Sequence, residues 1–269
     1  MLSDSGRSEQ IDKKIDADVS GADFTNQLFL RLVAKGKRFI NVDFKHSIFD
    51  TCYLRNCKFD SCDFTGCRFL ASNLHGATFS GCKFDYSIFE RTLVDGDILD
   101  TECPGHENLK RAFARTLRMN YQQIGDASSA NKAISVELQA SKVHKRKAWA
   151  SNESYYRKKY AGGKRVGAFA DWVWFTILDI IWGNGESLLK LTRAILTLLV
   201  AMSVIDVLAF RDRQRLSSYA QAFFDVPKIF LGAVSPSRYW AGYLTAIIFV
   251  RLIAIGLFLS ILLKRFNRR

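Results

Sequence analysis

The chain has 269 residues, 48% of them hydrophobic, and a formal net charge of +13 from 39 Lys and Arg against 26 Asp and Glu. Its four histidines (His46, His75, His106, His144) are scattered, and no glycine-rich phosphate loop, paired-carboxylate motif or nucleophile elbow occurs. Enzymatic activity, a cofactor and a catalytic or structural metal are therefore not expected.

In chain order, Met1–Asp16 is charged and polar and carries no secretion signal. Residues 1–36 read as a lead-in and cap, partly helical around Leu28 to Val33. From Val19 to Leu99 every fifth residue is apolar, mostly Phe. A period of five fits neither a helix at 3.6 nor a strand at 2, so it marks an internal repeat. A second column of small residues sits two places earlier: Ser47, Cys52, Cys57, Cys62, Cys67, Ser72, Ala77, Cys82, Ser87, Thr92. Both columns hold from about Phe39 to Phe89, and before Phe39 Gln27, Leu32 and Lys37 break the small one.

This double column resembles the pentapeptide-repeat family, whose chains wind into a right-handed quadrilateral β-solenoid. The resemblance implies a solenoid over residues 37–103 with four repeats per coil, so residues 20 apart stack about 4.8 Å apart. The expected interior is Phe44, Phe49, Leu54, Phe59, Phe64, Phe69, Leu74, Phe79, Phe84 and Phe89, with Phe24 and Phe29 beginning two of the stacks. Five of the six cysteines fall in the small column, and Cys103 follows the last repeat. Spacings of five put successive thiols on different faces, where they do not converge on a tetrahedral ion, so they read as buried small hydrophobes.

Residues 104–165 form a basic helical linker: residues 106–165 carry 14 Lys or Arg against four Asp or Glu. Two helices are expected, Glu107 to about Ile124 and Ser128 to about Tyr160, with Gly125-Asp126 as the turn and Asp126 as a cap. Leu109, Phe113, Leu117 and Tyr121 form an apolar stripe that packs against a neighbour. A basic stretch ahead of apolar helices suits anionic lipid better than nucleic acid.

Residues 166–187, with Trp172, Trp174, Trp182 and the acids Asp171 and Asp179, read as an amphipathic helix lying at the membrane interface. In the last segment, 188–269, two stretches are long enough to cross a membrane, about 194–210 and about 239–263, with a re-entrant segment about 218–236 between them. Lys190 and Arg193 flank the first; Lys264, Arg265, Arg268 and Arg269 follow the second. Arg251 falls near the bilayer midplane, and Asp206 near the end of the first span.

This half resembles bacterial proteins that join pentapeptide repeats to a two-helix ion-channel module. Trp182-Gly183-Asn184-Gly185-Glu186-Ser187 is similar to a Gly-x-Gly-Glu turn found there. Ser218 to Phe224 is similar to the start of a pore helix, and Gly256-Leu257-Phe258 with Lys264-Arg265 to the end of the inner helix. Where potassium channels carry Thr-x-Gly-Tyr-Gly-Asp, this chain has Ile229-Phe230-Leu231-Gly232-Ala233-Val234-Ser235-Pro236, so potassium selectivity is not implied. Pro227 falls inside the expected pore helix or in the first turn of a shorter one.

The resemblance implies a mixed fold: a solenoid, an α-helical linker and a two-helix transmembrane pore-like domain. It implies a homo-oligomeric channel, with a tetramer expected, and Gly232, Ser235, Arg251 and Asp206 as candidates for the ion pathway. Basic flanks at both ends place both termini in the cytoplasm, at a bacterial inner membrane. The implied partners are the lipid bilayer, other copies of the chain, inorganic ions and a cytoplasmic protein that the solenoid senses or recruits. Opening as a membrane-permeabilising effector is one implied outcome. The alternative is a non-conducting membrane-anchored scaffold that presents the solenoid for protein binding. A gyrase-directed DNA mimic is disfavoured, because residues 37–100 are near neutral, with eight basic and nine acidic residues.

Overall fold

The computed structural model describes residues 6–266, in two compact units, one reaching Phe169 and one beginning at Ala170. Residues 1–5 and 267–269, which include Arg268 and Arg269, and the side chain of Arg265, lie outside that description.

The first unit begins with nine short strands: β1 Ser8–Ile11, β2 Val19–Ser20, β3 Gln27–Leu30, β4 Arg38–Ile40, β5 Ile48–Asp50, β6 Lys58–Asp60, β7 Arg68–Leu70, β8 Thr78–Ser80 and β9 Ile88–Glu90. They form two parallel sheets, β1-β3-β5-β7-β9 and β2-β4-β6-β8. Two further ladders of single bridges, Lys14-Val33-Tyr53-Asn73-Leu93 and Asp23-Asp43-Asp63-Lys83, supply the other two sides of the coil. The register is Phe39↔Phe59↔Phe79 and Phe29↔Phe49↔Phe69↔Phe89, a shift of 20 per coil. The result is a four-sided β-solenoid of about four turns.

The expected lead-in over 1–36 is corrected. Its segment Gln27–Leu30 is a strand, not a helix, and the solenoid starts at Ser8. The first coil pairs Ser8↔Gln27 and Lys14↔Val33, a shift of 19. One residue fewer takes the first coil out of phase with the repeat and sets Gln10, not an aromatic, opposite Phe29. The far boundary also moves inward, because Leu99 belongs to the helix α1 Ile98–Thr101 and not to a coil.

Ring stacking fills the interior. Phe44–Phe64 centroids are 5.0 Å apart at 4°, Phe49–Phe69 5.0 Å at 7°, Phe59–Phe79 5.2 Å at 9° and Phe69–Phe89 4.8 Å at 10°. Leu54 and Leu74 are buried on the fourth side. The small column does more than save space. Cys62 Sγ donates to the Phe39 carbonyl at 3.4 Å, Cys67 Sγ to Phe44 at 2.8 Å, Cys52 Sγ to Phe29 at 3.3 Å, and Cys57 to Ala34. Ser72 and Thr92 hydroxyls make the same contact, 3.1 Å and 3.0 Å, with Phe49 and Phe69. Burial pushes the Cys52 thiol up to about 12, which keeps its proton available for donation.

A third column sets the corners. All fifteen positions at steps of five from 21 to 91 have positive φ, and eight of them are Gly or Asn, the residues that tolerate the left-handed region. Three residues before a corner, Asp23, Asp43 and Asp63 each accept the backbone N–H two residues on, at 2.9–3.0 Å, which forms the turn leading into it.

Helix α2 Glu107–Ile124 closes the solenoid. Its expected stripe of Leu109, Phe113, Leu117 and Tyr121 is buried, and Phe113 sits 5.6 Å from Phe84 and 6.2 Å from Phe89. Its polar side chains replace the missing coil. Phe89 N donates to Thr116 Oγ1 at 3.0 Å, Thr92 N to Asn120 Oδ1 at 2.7 Å, and Arg91 N to Gln123 Oε1 at 3.0 Å. Asn120 Nδ2 returns a bond to the Thr92 carbonyl at 2.8 Å, and Glu102 accepts from Cys82 N at 2.6 Å. The solenoid's last edge is thereby satisfied instead of left open.

After Gly125 comes α3 Ala127–Ala150, capped by Asp126, which accepts from Ser129 N. The single helix expected to run to Tyr160 is broken: Ser151 and Glu153 adopt extended ψ values, and α4 Ser154–Lys159 follows. Tyr156 and Ala148 form a small core with Ala168 of the next helix, α5 Gly163–Trp182, and that separate core is why the chain turns here.

The second unit holds most of α5, then α6 Leu188–Phe210, α7 Leu216–Leu231 and α8 Ala241–Phe266. Among the described residues three helical segments are long and apolar enough to cross a membrane, Gly163–Gly185, Leu188–Phe210 and Ala241–Lys264, one more than the two expected from the sequence. The extra one is the expected interfacial helix, lengthened at its start by Gly163 to Arg165.

Candidate functional site

Two polar clusters mark the second unit. The first lies where α5 turns into α6. Gly183, Asn184 and Gly185 all take positive φ, and Ser187 caps α6 by accepting from Lys190 N at 3.2 Å. Lys190 Nζ reaches Asp179 at 2.7 Å, while Lys264 Nζ near the end of α8 donates to the Gly185 carbonyl and to Glu186, both at 3.3 Å. The Gly-x-Gly-Glu turn and the lysine of the last helix, singled out separately in the sequence, therefore meet.

The second polar place centres on Asp206, fully buried one turn before α6 ends. Arg211 Nε donates to it at 2.6 Å, Tyr239 OH at 2.6 Å and Arg238 Nη2 at 3.2 Å. Arg211 also reaches Asp225 at 2.8 Å and Gln221 at 3.3 Å on α7. Asp206 thus ties the start and end of the segment between the two long helices to α6. A buried carboxylate needs such partners to avoid the cost of an unpaired charge.

Helix α7 packs between α6 and α8: Val226, Ile229 and Phe230 share a core with Met202, Tyr239 and Ile247. Pro227 lies inside α7, eleven residues after Leu216, and does not begin a shorter helix. The helix ends at Gly232 in the left-handed region, with Gly232 N donating to Ile229 O at 3.0 Å and Ala233 N to Lys228 O at 2.9 Å. These two bonds form a Schellman cap, so Gly232 closes a helix here.

Of the four ion-pathway candidates, the structure brings two together. The Arg251 guanidinium lies against Gly232, where any Cβ would overlap its Nη1. It therefore faces the carbonyl end of α7, the negative end of that helix's dipole. Asp206 is held elsewhere, by Arg211, Arg238 and Tyr239 and not by Arg251. Ser235 is exposed. Arg211, Arg238 and Tyr239 were missed as site residues. Their signal lay in two arginines flanking a segment whose adjoining span contains one acid.

Among the described residues no group of three or more His, Cys, Asp or Glu is arranged to hold a metal ion.

A β-solenoid of five-residue units, followed by helices and three apolar segments of membrane-spanning length, defines the class. Residues 38–69 match the family described as pentapeptide repeats, in eight copies, and that stretch of the chain is wound into the β-solenoid. Among solved structures, a pentapeptide repeat protein from the Arabidopsis thaliana thylakoid lumen is 19% identical over 37% of this chain and 76% of that one, with a TM-score of 0.18. Trypsin-treated QnrB1, a plasmid-mediated fluoroquinolone resistance protein, is 15% identical over 33% of this chain and 73% of its own, with a TM-score of 0.15. No curated protein sequence matches the chain.

Proposed function

We propose that this protein is a homo-oligomeric membrane ion pore, tetrameric, with a cytoplasmic pentapeptide-repeat solenoid that senses or recruits a protein partner. The observation that carries the reading is the contact between Gly232 and Arg251. Arg251 is ten residues into α8, about 15 Å along it at 1.5 Å per residue. That is half of a hydrocarbon core of about 30 Å. A 16-residue helix between two spans that ends against a residue at that depth has the form of a re-entrant pore helix. Irregular backbone such as Ala233–Ser237 is tolerated at membrane depth where it is buried in protein or lines a water-filled cavity. The basic helices α2 to α4 suit an anionic lipid surface beside such a pore, and the setting we assign is a bacterial inner membrane with both termini cytoplasmic.

The test is flux of potassium, sodium and chloride from liposomes holding the purified full-length chain, with its oligomeric state measured in detergent. Ion flux from a defined oligomer is the expected result. A folded monomer, or an oligomer that passes none of the three, removes the pore. The second reading, a non-conducting scaffold, is favoured by one observation, the use of Gly232 as a helix cap instead of a filter residue.

A further inference from the structure

We propose that the ion pathway selects anions and that Arg251 is the selecting residue; this rests on the pore reading above and names the ions it passes. The argument is a charge balance over residues 206–251, which hold six basic residues, Arg211, Arg213, Arg215, Lys228, Arg238 and Arg251, and three acids, Asp206, Asp212 and Asp225. Every one of those acids is already paired. Asp206 lies against Arg211 and Arg238 at 2.6 Å and 3.2 Å, Asp225 against Arg211 and Lys228 at 2.8 Å and 3.7 Å, and Asp212 against Arg215 at 3.1 Å. Arg213 turns to the Leu208 carbonyl at 3.0 Å. Arg251 has neither a carboxylate nor a hydrogen-bonded carbonyl among the described residues.

The acid on α6, Asp206, is thus consumed by Arg211, Arg238 and Tyr239. What Arg251 meets instead is Gly232 and the end of α7, whose dipole amounts to about half a charge and offsets the guanidinium only in part. A charge at the centre of a span costs at least about 2.5 kcal/mol against lipid, so it faces a water-filled cavity or a partner. In an oligomer with α7 lining the pathway, that cavity is the pore, and each copy sets one arginine at its mid-depth. Positive side chains at a constriction with low-dielectric walls concentrate anions and repel cations. Gly232 is what admits the guanidinium to this position, since a side chain there would occupy the same space.

The experiment is the reversal potential of the reconstituted full-length chain across a potassium chloride gradient, for the native protein and for Arg251→Lys, Arg251→Gln and Arg251→Glu. The native protein and Arg251→Lys are expected to reverse near the chloride potential. Arg251→Gln is expected to lower the chloride-to-potassium permeability ratio roughly tenfold, the equivalent of about 1.4 kcal/mol, and Arg251→Glu to invert the preference. A cation-selective native current, as a carboxylate from a second copy beside Arg251 would produce, overturns the proposal and leaves the pore standing. So does an anion preference that Arg251→Gln and Arg251→Glu leave unchanged. Absence of current from the native protein and all three variants overturns the pore, and the selectivity with it.

Discussion

Cys67 shows what a single position of the repeat demands. Its side chain is fully buried and its Sγ lies 2.8 Å from the Phe44 carbonyl, so the site requires a small group that also donates. Cys67→Ser keeps both properties and is expected to cost less than about 1 kcal/mol in thermal unfolding followed by the β-sheet signal in circular dichroism. Cys67→Leu keeps neither and is expected to cost about 1–3 kcal/mol through overpacking. The corners obey a different rule. Ala71 holds a φ of 45°, which disfavours any residue with a Cβ. Ala71→Gly is therefore expected to stabilise by about 0.5–1 kcal/mol, the relief of left-handed strain less the entropy of glycine, and a lowered melting temperature would contradict it. The size of the small column was legible in the sequence. Its donor role was not, because the accepting carbonyls lie 23 residues earlier and become neighbours only when the coil closes.

At the scale of elements, α2 decides where the solenoid stops. Asn120, fully buried, pairs with both the N–H and the carbonyl of Thr92. Asn120→Ala strands both and is expected to destabilise by about 2–4 kcal/mol, read as a lowered urea midpoint with unchanged slope. The helix limits were legible from Glu107 and Gly125, and so was the apolar stripe. That Thr116, Asn120 and Gln123 imitate a missing coil was not, since polar residues on a helix face ordinarily read as solvated. Helices α3 and α4 add a pH dependence. His144 is buried, with the Tyr156 hydroxyl 3.1 Å from its Nδ1, and burial, then the charges of Arg111, Lys159 and Lys145, hold its pKa below the usual 6.5. The folded protein therefore binds that proton less readily than the unfolded chain. Stability from this group is complete above about pH 6.5 and is lost as the pH falls below it, toward the lower folded value. Urea midpoints measured from pH 8 down to pH 5 should fall with pH, and His144→Gln should flatten the slope in that window.

For the whole molecule, the number of membrane crossings sets the side on which each end of the chain lies. The segment Gly163–Gly185 is long and apolar enough to span, yet it carries Asp171 and Asp179, and Asp179 is tied to Lys190. A helix lying along the interface leaves two crossings and returns the C-terminus to the side of the solenoid; a third crossing separates them. Reporter fusions at the two ends are expected to report the same, cytoplasmic side. Reporters on opposite sides would make α5 a span and reverse the orientation of the pathway relative to the solenoid.

The sequence by itself determined the repeat, its stacking period, the aromatic interior and the presence of long apolar helices, because each depends on residues at fixed short spacings. Even the capping turn at Gly125-Asp126 needed nothing beyond its neighbours. Only the tertiary structure decided that the first coil is one residue short, that α2 closes the last one, and that Asp206 takes Arg211, Arg238 and Tyr239. Those outcomes turn on which side chains arrive at the same place after the chain has folded. A buried charge accepts whichever partner geometry brings within reach, and sequence distance alone does not name it. For Arg251 that meant Gly232 and the end of α7.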